Sequence, residues 1–158
     1  MSSVIAHAMS ASLIALTAAD VALEKTGYLV AAFAAGGIVD LDHSFYTIRD
    51  WGMYRRLGFR GNLHQARSVF HEMPGLIAIG LFAAALFPVN QSLAKVVFLA
   101  FAVHLIEDWI IGKSSPFVPV DKICMQFFTL SFHRKVAIDV VLLLVSGALW
   151  ITYLNGGL

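Results

Sequence analysis

GGIVDLDHSFY, residues 36–46, ends a run of small and apolar residues with two aspartates and a histidine inside four positions. The chain around it is 59% hydrophobic, with a mean hydropathy of +0.78. Asp40, Asp42 and His43 therefore stand where a carboxylate or imidazole is costly to strip of water unless it is paired or bound to a metal. Only 13% of the residues are charged, against about a quarter in a soluble domain. Several apolar runs also approach the length of a bilayer span. The stretch thus reads as the polar end of a membrane-embedded helix, and the chain as an all-α, polytopic membrane helix bundle.

Hydropathy and breakers together predict five helices, at roughly 4–23, 28–39, 73–88, 92–112 and 135–154, in a single integral membrane domain covering 1–158. The second helix carries Ala32, Ala34, Ala35, Gly36 and Gly37, small residues that let helices approach closely; the glycines are expected to bring this corner against the fourth helix. Pro74 suits the first turn of the third helix, where its missing N–H costs nothing. A short amphipathic helix is expected around KICMQFF, residues 122–128. The N-terminal MSSVIAHAMSASLIAL lacks the basic residues of a signal peptide and reads as a mature helix. The lone Cys124 cannot form an intrachain disulfide. A net charge of +1 argues against nucleic acid as a partner.

Five crossings would place the N-terminus and the loops 40–72 and 113–134 on one side of the membrane. That side holds nine of the eleven basic residues: Arg49, Arg55, Arg56, Arg60, Arg67, Lys113, Lys122, Arg134 and Lys135, leaving Lys25 and Lys95 on the other. By the positive-inside rule the rich side is cytoplasmic, in a cell inner or plasma membrane.

The metal-binding residue types gather on that side: His7 near the start of the first helix, Asp40, Asp42 and His43 at the end of the second, His71 before the third, and His104 with Asp108 late in the fourth. At about 1.5 Å per residue, Asp40 and His104 both fall roughly 10–12 Å below the cytoplasmic boundary of a core about 30 Å thick. In HLIED, His104 and Asp108 are i and i+4, on one helix face, about 5–6 Å apart at Cβ. One divalent ion can bridge such a pair, and imidazole with carboxylate suits Zn²⁺ or Mn²⁺. Glu107 lies about 100° round the helix from Asp108 and is expected outside the ligand set. Taken singly, each residue has a plainer reading. A lone intramembrane histidine such as His7 or His133 can join two helices by a hydrogen bond, DLDH can be a capped helix stop, and Asp139 can pair with Lys135 one turn away. Seven such groups at one depth are hard to justify as structure alone, because each is expensive in lipid.

In order and spacing, His7, GGIVDLDH, RSVFH with Arg67 and His71, and HLIEDWIIGKSSPFVP together resemble the membrane-bound metal-dependent hydrolases often labelled YdjM-like. Those proteins show an early His, a small-residue helix ending in PDIDH or similar, an H-R-G-x-T-H-S segment, and an S-H-x-x-x-D helix followed by a Gly/Pro-containing loop. The resemblance covers about residues 4–120 and leaves the last helix outside. Here Val39 stands for the usual Pro, and Ala66, Ser68, Phe70 and Glu72 for the first His, the Gly, the Thr and the Ser of H-R-G-x-T-H-S. His64 or Glu72 is a candidate substitute for that first His. The resemblance implies metal ligands at His7, Asp40, Asp42 or His43, His71, His104 and Asp108. The order of single ligands is also similar to that of zinc-dependent phospholipases C, whose second H-x-x-x-E helix this chain lacks.

The expected function is a membrane-embedded hydrolase holding one to three divalent ions, zinc first and manganese second, that cleaves a phosphoester of a lipid or lipid-linked substrate at the cytoplasmic interface. Asp40, Asp108 and Arg67 form the expected catalytic set, the aspartates bridging ions and Arg67 gripping the substrate phosphate. Two other classes fit some of the residues. His7, His71, His104 or His133 on facing helices would hold haem b in an electron-transfer protein, although the aspartates favour harder ions. Intramembrane His/Asp chains also form relays in metal-ion or proton transporters, which need polar groups leading to both faces.

Overall fold

The computed structural model describes residues 4–21, 26–40, 48, 51–52, 68–112, 114–121, 123–128 and 130–156. Five α-helices can be followed end to end among them: α1 (Val4–Ala18), α2 (Thr26–Gly37), α3 (Met73–Leu86), α4 (Gln91–Ile111) and α5 (Phe132–Leu154). A 3₁₀ turn, Ile38–Asp40, extends α2, and another, Val69–His71, leads into α3. The described residues contain no strand; Ser114 and Met125 form an isolated antiparallel bridge.

The helix starts follow local chemistry. Asn90 and Ser131 cap α4 and α5, their side chains accepting from the backbone N–H of Leu93 and Arg134. Pro74 opens α3 as expected. The end of α1 departs from expectation, at Ala18 rather than near residue 23. There the Val21 N–H donates to the Leu16 carbonyl (3.2 Å) and the Asp20 N–H to Thr17 (3.1 Å), with Asp20 at φ +52°. This is a Schellman closure with aspartate in the left-handed position usually given to glycine, and Val21 folds back into the core beside Leu16.

The expected helix at 122–128 is also absent from its described part, residues 123–128. Met125 instead exchanges two backbone hydrogen bonds with Ser114, at 2.7 and 2.9 Å. Seven residues are too few to nucleate a helix without packing to support it, and Ile123, Phe127 and Phe128 remain exposed.

α1 lies at the centre, packed against α2, α4 and α5, while α3 packs on α4. Leu13, Leu16, Val96, Trp150 and Tyr153 join α1, α4 and α5 in one apolar cluster. Two hydrogen bonds tie α5 to α1 and its closing turn: Trp150 Nε1–H to the Met9 carbonyl (2.9 Å) and Tyr153 O–H to that of Val21 (2.7 Å). Ala15, Ala35 and Ala100 fill the junction of α1, α2 and α4. The glycines of α2 meet α1 rather than α4. A Cβ at Gly36 would stand 3.3 Å from Ala11 Cβ, and one at Gly37 3.2 Å from Ala8 Cβ.

Among the described residues one helix, His133–Leu154, is both long and apolar enough to cross a membrane, with a mean hydropathy of 2.1; only 22% of its apolar stretch is buried within the protein. α1, α2 and α3 are apolar but have 15, 12 and 14 residues. α4 has 21 residues but carries Lys95, Glu107 and Asp108. Of the basic residues in the charge map, Lys95, Arg134 and Lys135 are described, and the other eight lie outside the described residues.

Gly75 is the closest backbone approach near the polar end. Its own N–H bonds the Glu72 carbonyl (2.9 Å), and a Cβ there would run into the backbone of Phe70, in the turn that delivers His71. Gly75→Ala is expected to cost about 1–3 kcal/mol of stability, as overpacking against a fixed backbone does. Gly27→Ala, whose added Cβ meets nothing within 4 Å, should be neutral or stabilising. Unfolding of both variants in detergent, followed by circular dichroism, checks the contrast.

Candidate metal centre

Four chain segments meet at one end of the bundle. The 3₁₀ turn tightens the end of α2 and carries Asp40 inward to 4% exposure. The second turn, capped by Ser68 accepting from the Phe70 N–H at 3.2 Å, presents a fully buried His71. α4 supplies His104 and, one turn on, Asp108. α1 contributes His7, 1% exposed.

Asp40, His71, His104 and Asp108 each offer a ligand atom, all within 4.8 Å of one another. Asp40 Oδ1 is 3.5 Å from His71 Nε2 and 3.6 Å from His104 Nε2; Asp108 Oδ2 is 4.0 Å and 3.9 Å from the same nitrogens. Donors held at about 2.0–2.2 Å around a tetrahedral zinc ion stand roughly 3.3–3.6 Å apart. The four carboxylate–imidazole separations are thus within about half an ångström of that spacing. Neither ring nitrogen of His104 has a hydrogen-bond partner among the described residues. Buried imidazole nitrogens are normally satisfied, so this set fits a cation. Two carboxylates and two neutral imidazoles would also cancel the charge of one divalent ion, which matters in a dry site. The same geometry argues against haem: Asp40 Oδ1 sits against both His71 and His104, where a porphyrin face would have to lie. His133 is exposed at the start of α5, apart from the cluster.

Around these four residues the protein builds supports. His7 Nδ1 bonds Glu107 Oε2 at 2.5 Å. Trp109 Nε1–H donates to the His71 carbonyl at 3.4 Å. Glu72, a candidate substitute for the missing histidine, is committed elsewhere: its carboxylate accepts from Ser114 Oγ–H (2.5 Å) and the Ser115 N–H (2.9 Å). With the Met73 N–H bonding the Pro116 carbonyl at 3.3 Å, Glu72 clamps the loop after α4 onto the start of α3. Asp42, His43, Arg67 and His64 lie outside the described residues. The sequence reading placed Glu107 off the ligand face, and it is off that face, but its bond to His7 went unseen. The only available signal was that a buried histidine on one helix and a glutamate beside an aspartate on another share a depth.

The family model described as YdjM inner membrane protein matches residues 1–156. The match takes in α5, which the motif resemblance left outside. Comparison with curated proteins and with solved structures gives no match.

Removing the Glu72 carboxylate should strand the Ser114 hydroxyl and the Ser115 N–H. Glu72→Ala is expected to cost about 1–3 kcal/mol for groups left buried and unpaired, and to open the 114–121 loop to protease. Limited proteolysis in detergent, read by mass spectrometry beside the thermal melt, checks both effects.

Proposed function

The chain belongs to the YdjM inner membrane protein family, and we propose that it is a polytopic membrane helix bundle binding a divalent ion, zinc or manganese, to hydrolyse a phosphoester of a lipid or lipid-linked substrate at the cytoplasmic interface. The observation that carries this reading is the convergence of Asp40, His71, His104 and Asp108, all buried and within 4.8 Å. Several unrelated segments would not each deliver a costly polar group to one dry point unless something there repaid their desolvation. The mixed imidazole and carboxylate donors select zinc or manganese over calcium and over copper(I).

When bound, such an ion supplies Lewis-acid polarisation of the phosphoryl oxygens and a lowered pKa for water. The protein's own groups do the rest. Trp109 fixes the backbone behind His71, so that the Nε2 of this ring stays directed at the carboxylates. A carboxylate of the Asp40–Asp108 pair takes the proton as water attacks phosphorus. That proton passes to the alkoxide released when the phosphorus–oxygen bond breaks. Arg67, four residues before His71, is assigned to the substrate phosphate, which its planar guanidinium suits. The exposed apolar faces of α3 and α5, with Ile77, Leu81, Phe82, Val141, Leu144 and Ile151, are surfaces of the kind that face lipid. This supports membrane contact by helices other than the one long enough to cross alone. A cytoplasmic orientation rests on the basic-residue asymmetry.

Purified wild-type protein is expected to carry stoichiometric divalent metal by elemental analysis and to show phosphodiesterase activity on a phospholipid panel that chelation abolishes. Asp108→Ala and His71→Ala should lose metal affinity by more than the roughly 10–100-fold that loss of an outer hydrogen-bond partner costs a metal site. Equal metal in wild type and both variants would overturn the site, and metal without chelator-sensitive hydrolysis would overturn the reaction.

A further inference from the structure

The turn that delivers His71 also starts α3, and the first turns of α3 form one wall of a groove that the four-residue centre does not use. Met73, Pro74 and Ile77 line it on that side, and Phe117, Val118 and Val120, from the loop after α4, line it on the other. Its volume of about 370 Å³ lies at the small end of the range for ligand pockets, about 300–1,000 Å³. Glu72, bonded to Ser114 and Ser115, ties the two walls together, as does the bond of 3.3 Å from the Met73 N–H to the Pro116 carbonyl. Asp121 is the one charged residue of the lining, and its carboxylate accepts from the Ile123 N–H of its own loop at 3.1 Å. The walls therefore offer a ligand hydrocarbon surface rather than hydrogen bonds.

We propose that this groove holds one hydrocarbon chain of the lipid whose phosphate is hydrolysed at the four-residue centre, an inference that rests on the reading of that centre as a phosphoester hydrolase. Position, continuity and surroundings each select a lipid chain as the occupant. Met73 is the second residue after His71, so a chain laid along α3 from Met73 has its polar end beside the turn that carries His71. The groove continues onto the outer face of α3, where Ile77 and Leu81 are i and i+4 and both are exposed. Each such step rises about 6 Å along the helix, which leads a chain away from the centre and into the bilayer of an inner membrane protein. At the mouth, Val120 is 94% exposed, and Phe117 and Ile123 beside it in the loop are exposed too. An apolar loop tip of this kind gains by burial at the boundary of headgroups and acyl chains. Held in the groove, one chain would fix the headgroup end of its lipid at the centre, so chain length enters the selection of substrate.

The test places full-length protein in vesicles of phosphatidylethanolamine and phosphatidylglycerol, doped with a phosphatidylglycerol that carries a diazirine in one acyl chain. After illumination, labelled residues are mapped by mass spectrometry. Label in residues 73–77 and 117–120 is expected to exceed that at Val141 and Leu144 on the exposed face of α5 several-fold. Ile77→Trp fills the groove from α3 and Val118→Trp from the loop. Each, checked for helicity, should bring the label down to the α5 level, and either suffices should the other not fold. In hydrolysis assays the same variants should raise KM for a long-chain phosphodiester about tenfold, and that for a short-chain, water-soluble one much less. An equal rise for both substrates would overturn the assignment to the substrate's chain. A metal-loaded hydrolase labelled no more in the groove than on α5, or cross-linked there to a second copy, would overturn the chain site alone. Label in the groove of a protein that carries no metal would overturn the hydrolase reading, and with it the identification of the bound lipid as substrate.

Discussion

Two carboxylates and two imidazoles buried within 4.8 Å of one another form the constraint on which the rest of this structure depends. In an apolar bundle such a group is an electrostatic debt unless a cation, or water it cannot easily reach, offsets it. The surrounding architecture holds these four residues together rather than diluting them. α2 stops in a tight turn at Asp40, a second tight turn delivers His71, and the register of α4 places His104 and Asp108 on the same side. The Ile38–Asp40 turn also seats Val39 beside Phe101 and Leu105 of α4, so the polar end is built directly on apolar packing.

Close helix packing makes that convergence possible. Ala8 and Ala11 against Gly36 and Gly37 bring α1 and α2 to a separation that larger side chains would forbid. The alanine junction of Ala15, Ala35 and Ala100 does the same where α4 joins them. With the three backbones that close, short side chains suffice to reach a common point. The loop after α4 then closes over the start of α3 through Glu72 and the serines at 114 and 115, so the turn carrying His71 is held from both sides.

Much of this was legible in the sequence, for reasons particular to each residue. His104 and Asp108 follow from helical periodicity alone, since i and i+4 must share a face. Asp40 follows from the shortness of its helix, and His71 from its place in the motif order. Other features depended on neighbours that a local pattern cannot name. The apolar residues Val21, Ala22 and Leu23 follow the end of α1 in the sequence, so hydropathy alone could not reveal the left-handed Asp20 that closes the helix. Small residues announce a close approach without saying to which helix, and the two glycines of α2 turned out to face α1. The angular position of Glu107 was correctly read from the helix, but what stands at that angle is α1 with His7, and only tertiary packing brings it there. Glu72 looked like a spare ligand because its partners lie more than forty residues away in a loop.

Helix length connects the site to the bilayer. α1 with 15 residues and α3 with 14 rise only about 21–23 Å, and α2 with its 3₁₀ turn about 24 Å, against a hydrocarbon core of about 30 Å. α4 and α5, at 21 and 23 residues, reach about 31–34 Å and match it. In the proposed arrangement, the three short helices therefore fall several ångströms short of one interface while the two long ones continue to it. Asp40 and His71 stand at the ends of the short elements, and the deficit accordingly opens at the cluster rather than at the apolar far end. A shortfall filled by lipid tails would leave the carboxylates facing hydrocarbon, the costliest outcome available. Filled by water and a headgroup phosphate, the same gap would give the cluster the solvent and the substrate proposed for it. The shortness of α1, α2 and α3 is in this view part of the site, because it lets a polar centre be buried by protein and still be reached from the membrane surface.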